Sequence, residues 1–118
     1  MKLIIAGTRT LDVRETFISE MCLQFNIDPT EIVSGNAAGI DVSGENYAFW
    51  NSQMPMKLFS ADWEHHGRAA GPIRNKQMAE YADALLLIWD GESRGSKNMK
   101  ETMMALKKPV YEVIVRKL

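Results

Sequence analysis

Ala84-Leu85-Leu86-Leu87-Ile88-Trp89-Asp90-Gly91-Glu92-Ser93-Arg94-Gly95-Ser96 is the stretch whose reading decides the fold. Its first six residues are apolar without a break. They are long enough for a strand and too apolar for one with a solvent face, so the spacing predicts a strand buried on both sides. Beyond the turn, Met99, Thr102, Met103 and Leu106 recur at helical spacing. A buried strand running through a Gly/Ser-rich turn into a helix is the βα step of a parallel sheet. Such a turn leaves backbone N–H groups at the positive end of the helix dipole, an arrangement that holds phosphate. Arg94 lies inside it. The alternative is a plain tight turn with Ser96 as helix N-cap.

The same alternation extends outward in both directions. Residues 2–6 form a first, central strand, broken by Gly7-Thr8-Arg9. Asp12 and Glu15 have capping-box spacing for a helix with Phe17, Ile18, Met21 and Phe25 on one face. Residues 31–34 read as a strand and Gly35-Asn36-Ala37-Ala38-Gly39 as a loop of small residues. A helix from residue 40 to about 50 follows, with Asp41 near its start as N-cap. Residues 56–60 form a third strand and residues 61–71 a longer loop. Gly71-Pro72 opens a helix to about Tyr81, with Arg74 and Asn75 in its first turn. Residues 110–115 are the last strand. Strict β-α alternation predicts one Rossmann-like open parallel sheet of five strands, order 3-2-1-4-5, with four helices on both faces.

In that architecture all strand-to-helix loops share one edge of the sheet. Glycine, arginine and polar residues load that edge: Gly7-Thr8-Arg9, Ser34 to Gly39, residues 61–71 with Arg74-Asn75, and Asp90 to Ser96. The opposite edge holds ordinary breakers. Strands 1 and 4 flank the switch point where ligands bind in such sheets, so Gly7-Thr8-Arg9 and Asp90 to Ser96 are expected to face one crevice.

With 118 residues, the chain has the size of a single domain, 1–118. Fourteen basic against fifteen acidic residues, a formal net charge of −1, argue against a broad nucleic-acid surface. The single cysteine, Cys22, excludes an internal disulfide and suits a reducing compartment. The N-terminal apolar run is too short for a signal peptide or a membrane span, so a cytoplasmic protein is expected. His65-His66 has no paired Cys or His at ligand spacing, and neither metal nor cofactor is expected. A G-x-G-x-x-G after the first strand, a P-loop and a G-x-S-x-G elbow are all missing, which argues against dinucleotide dehydrogenases, P-loop NTPases and α/β-hydrolases.

Candidate ligand residues are Gly7, Thr8, Arg9, Ser34, Gly35, Asp41, Asp62, Trp63, Arg74, Asn75, Ser93, Arg94, Gly95 and Ser96. The arginines suit phosphate or carboxylate, and Trp63 suits stacking on a base. Ser34-Gly35 and Ala37-Ala38-Gly39 have the look of a second anion-binding nest. A cation in the first turn of a helix opposes the dipole, so Arg74 calls for an anionic ligand or a partner carboxylate. Asp62, Asp90 and Glu92 are the candidate catalytic carboxylates.

Taken together, Ile5 to Arg9, Val33 to Asp41, Ala61-Asp62-Trp63, Ala70 to Asn75 with Met78, and Trp89 to Ser96 resemble the YspA-like branch of the SLOG superfamily, which also includes the lonely-guy phosphoribohydrolases and the DprA/Smf proteins. The resemblance covers nearly the whole chain in order. It implies a domain that binds a nucleotide or nucleotide-derived ligand as sensor, carrier or processing protein, often as a homodimer, in cellular, defence or phage settings. The lonely-guy loop P-G-G-x-G-T-x-x-E is matched at Gly95-Ser96. Ser93 stands at its second glycine, and Met99 stands where it has its glutamate. The phosphate half is therefore kept and the acidic half is absent. Nucleotide binding is the first expectation. N-glycosidic cleavage of a nucleoside monophosphate or NAD-like metabolite is the alternative, and single-stranded DNA binding of the DprA kind a third. Tyr47, Phe49 and Trp50 are an apolar cluster suited to a dimer contact.

Overall fold

Leu3, Ile4, Ile5 and Ala6 are all buried because strand β1 (Lys2–Gly7) lies in the middle of a sheet covered on both faces. The computed structural model describes residues 1–51 and 53–116. Its other strands are β2 (Glu31–Ser34), β3 (Met56–Leu58), β4 (Ala84–Trp89) and β5 (Val110–Ile114). All pairings are parallel and the order is β3-β2-β1-β4-β5. The helices are α1 (Glu15–Gln24), α2 (Ile40–Trp50), α3 (Trp63–His66), α4 (Ala70–Tyr81) and α5 (Arg94–Ala105).

The two-residue period of the strands sorts the core into two layers. Leu3, Ile5, Leu86 and Ile88 pack with Ile18, Cys22, Ile40, Tyr47 and Ala48 of α1 and α2. Ile4, Ala6, Leu85, Leu87 and Trp89 pack with Met78, Ala79, Met99 and Met103 of α4 and α5. Strand β4 is buried at every position, as its unbroken apolar run requires. Gly7 pairs with Ile88, so β1 and β4 end side by side. Their following loops open the switch point, since the chain leaves β1 for one side of the sheet and reaches β4 on the other.

Local departures from the sequence-based expectation have identifiable causes. Asp12 does not cap α1. The Val13 N–H donates to Ser43 Oγ (3.0 Å), which keeps the segment extended and delays the helix to Glu15. The region read as one long loop after β3 contains α3 and a 3₁₀ turn, Gly67–Ala69, because Asp62 accepts the His65 amide and starts a helical turn. The third long helix, α4, begins at Ala70, so Arg74 and Asn75 sit in its second turn and not its first. Strand β3 ends at Leu58 and is exposed throughout, as befits a sheet edge. Tyr47 belongs to the core and leaves Phe49 and Trp50 alone on the surface, ring edge to ring face at 5.0 Å. The connection from α2 to β3, read as residues 51–55, includes Ser52, which lies outside the described residues.

Candidate functional site

Gly7 ends β1 against β4 so closely that a Cβ there would meet the Ile88 carbonyl oxygen at 1.7 Å. That contact sets Thr8 and Arg9 beside the start of α5. The Asp90 N–H donates to Thr8 Oγ1 (3.1 Å), Thr8 Oγ1 donates to Ser93 Oγ (3.5 Å), and Ser93 Oγ donates to Ser96 Oγ (2.6 Å). Ser93 occupies the N-cap position without using its side chain as a cap, and Ser96 is the third helical residue, not the N-cap. The first-turn amides of Arg94, Gly95 and Ser96 have no acceptor among the described residues. Orphan N–H groups of this kind at a helix start attract an acceptor.

Facing this helix end is Arg74, only 9% exposed. It donates from Nη1 to the Gly35 carbonyl and from Nε to Asn75 Oδ1 (2.9 Å). Asn75 Nδ2 in turn reaches Asn98 Oδ1 (2.9 Å) on α5. Gly35 permits this: a Cβ there would strike Arg74 Nη1 at 2.7 Å and Asp41 Oδ2 at 2.8 Å. Burial lowers the Arg74 guanidinium from its ordinary value; Asp41 opposes that, and the nearby charge of Arg9 adds to it. Asp41 is 5% exposed, and burial pushes its carboxyl up to about 6 against the pull of the Ala37 amide and Arg74.

These groups enclose a cleft of about 390 Å³ floored by Ala6, Met78 and Met99. A second cleft of about 340 Å³ adjoins it and shares Arg9 and Ala37. The Arg9 guanidinium lies 5.8 Å from the ring centre of Trp63 in that second cleft. The Gene 61 protein of Mycobacterium phage D29 is 30% identical to this chain over 112 residues, spanning 88% of this chain and 90% of the phage protein. The chain belongs to the family of that phage protein. No family model matches it, and no solved structure matches it.

In this member of the Gene 61 family, most of the residues read from sequence as ligand contacts converge. Gly7, Thr8, Arg9, Asp41, Arg74, Asn75, Ser93, Arg94, Gly95 and Ser96 line the first cleft, and Gly35 and Trp63 the second. Ser34 and Asp62 line neither. Ser34 is buried, donates to Glu45 Oε2 (2.7 Å) and accepts the Asn36 amide. Asp62 is turned to His65, accepting its amide and pairing with Nδ1 at 2.7 Å. Of the carboxylates, only Asp90 and Asp41 line the first cleft. The Glu92 and Ser93 amides hold the Asp90 carboxyl below its ordinary value, and Glu92 itself is exposed outside both clefts.

The loop after β2 is not an open nest. Its Asn36 amide is taken by Ser34 and its Ala37 amide by Asp41, so a carboxylate of the chain already sits where an anion would. Asp41 does not cap α2, whose N-cap position is Gly39. Gly39 is required there: its φ is +76°, and a Cβ would meet the Thr8 oxygen at 2.4 Å. Thr10 of the first cleft, and Asn36 and Ser60 of the second, were not read from sequence as ligand contacts: polar loop residues are ordinary, and only the fold brings these to the clefts. The described residues contain no cluster of His, Cys, Asp and Glu able to hold a metal ion, and no helix long and apolar enough to cross a membrane.

Proposed function

We propose that this protein binds a nucleotide or nucleotide-derived phosphorylated ligand in the cleft between β1 and β4, as the resemblance to the SLOG superfamily implies. The observation that carries the reading is the meeting, at one switch-point cleft, of Arg9 and Arg74 with the unaccepted first-turn amides of α5. Two cations near enough to disfavour one another leave a cleft that an anion relieves. Helix amides add directed donors for phosphate oxygens, and the Ser93 and Ser96 hydroxyls stand beside them. A volume of about 390 Å³ lies in the range of small-ligand sites. Gly95 supports the same reading. A Cβ there would meet nothing within 4 Å and its φ is not positive, so neither packing nor backbone demands glycine, which suits an open approach for a ligand to the helix end.

Calorimetric titration with the nucleoside 5′-monophosphates tests this. Binding by the native protein, weakened at least tenfold in Arg9→Ala, is the expected result. Lack of binding, or indifference to Arg9, would remove the reading. Arg9 is the better probe than Arg74, whose buried hydrogen bonds make Arg74→Ala a folding mutation as well.

One observation favours N-glycosidic cleavage as a second reading. Asp41 lines the cleft with a carboxyl at about 6, near enough to neutrality to donate a proton. Water would add at the anomeric carbon, the base would leave with the Asp41 proton, and the water's released proton would restore Asp41. Free base accumulating with time, and not with Asp41→Asn, separates a hydrolase from a sensor or carrier. The exposed Phe49–Trp50 pair is the proposed homodimer contact, and the kinship with a phage gene product suits a phage-encoded origin.

A further inference from the structure

We infer that the ligand is two-ended: a pyrophosphate-bridged nucleotide whose second planar group lies on Trp63 in the adjoining cleft. The inference rests on the phosphate reading of the first cleft and extends it. The two clefts together offer about 390 and 340 Å³, and a mononucleotide seated on α5 would leave the second one empty. Arg9 stands at their junction and, unlike Arg74, has no hydrogen bond or ion pair to hold it among the described residues. Arg9 and Arg74 both flank a phosphate at the α5 amides, and Arg9, at the junction, also reaches the next phosphate along a bridge.

Trp63 is built as a platform. It is 50% exposed, and its ring edge rests over the start of α4, where a Cβ on Gly71 would touch Cη2 at 3.5 Å. The Asp62–His65 contacts fix the helical turn that carries it. Ala37, Ala38 and Ala61 leave room beside the indole. Asn36 Nδ2 donates to Ser60 Oγ (3.1 Å), tying the loops after β2 and β3 together at the floor and supplying an amide and a hydroxyl for the edge of a heterocycle. Arg9 lies over the ring 5.8 Å from its centre; its move onto the phosphate bridge leaves that face to a flat base, which the indole accepts by stacking.

The test compares adenosine and guanosine 5′-monophosphates with the matching dinucleoside 5′,5′-diphosphates on the native protein, Trp63→Ala and Trp63→Phe. The two-ended compound is expected to bind at least tenfold more tightly than its mononucleotide. Trp63→Ala should weaken the two-ended compound far more than its mononucleotide, erasing that advantage, and Trp63→Phe should retain most of it. Equal affinities for the two compounds, or equal weakening of both by Trp63→Ala, would overturn the inference while leaving the phosphate site standing. Binding of none of the four compounds would overturn the phosphate reading itself, and the inference with it.

Discussion

At the scale of single residues, the candidate site separates groups that serve the fold from groups that do not. Gly7, Gly35 and Gly39 are glycines because backbone or a buried side chain stands where their Cβ would go. Gly95 has no such neighbour. Gly95→Ala should therefore keep or raise stability, by roughly 0.5 kcal/mol for a helical position, while mononucleotide affinity falls more than tenfold; thermal melts and calorimetry on one sample read both. Arg74→Ala should cost about 3 kcal/mol, since it strands the buried Gly35 carbonyl and Asn75. Asp41 sets a pH dependence of stability. Its carboxyl rises from an ordinary 3.8 to about 6 on folding, so the folded state holds this proton more tightly than the unfolded one. Its contribution is most favourable below pH 4 and is lost as pH rises through about 6, an interval worth about 3 kcal/mol. Urea titrations from pH 4 to 7 should show that fall in the native protein relative to Asp41→Asn; parallel curves would dismiss it.

At the scale of elements, the two edges of the sheet can be perturbed separately. Lys108 lies at the edge away from the clefts and donates from Nζ to the carbonyls of Ala79 (2.7 Å), Glu80 (3.2 Å) and Ala82 (2.8 Å) at the end of α4. A cation on free C-terminal carbonyls stabilises a helix. Lys108→Ala should lower stability by about 1–2 kcal/mol and leave ligand affinity unchanged. A matching loss of affinity would mean that the site depends on α4 as a whole. The inner strands β1, β2 and β4 were legible in the sequence because each carries an apolar run buried on both faces, and the helices because small and apolar residues recur along one side. Helix starts were less legible where a distant group decides them. Ser43 holds Val13 and delays α1. Asp62, read as a ligand contact, starts α3 instead. Ser34 looked like a donor to a ligand, but its partner Glu45 lies a full loop and a helical turn away.

At the scale of the whole molecule, the parallel order β3-β2-β1-β4-β5 brings the ends of β1 and β4 together and assembles residues from three loops and from α2, α4 and α5 in one cleft. That crowding was legible in the sequence because glycines and arginines follow strands rather than helices. The apolar part of the lining was not, since Ala6, Ala37, Ala61, Met78 and Met99 look like ordinary packing residues. The face carrying Phe49 and Trp50, the latter 70% exposed, lies on α2, away from both clefts. Sedimentation at micromolar protein should give twice the monomer mass, reverting to monomer in Trp50→Glu with ligand affinity intact. The central claim is that phosphate seats on the first turn of α5. Its most direct measurement is amide ¹H–¹⁵N spectroscopy during titration with the nucleoside 5′-monophosphates. Progressive shifts at Gly95 and Ser96, with Arg9 following, are the expected result. No shift with any of them, or shifts confined to the Lys108 edge of the sheet, would contradict it.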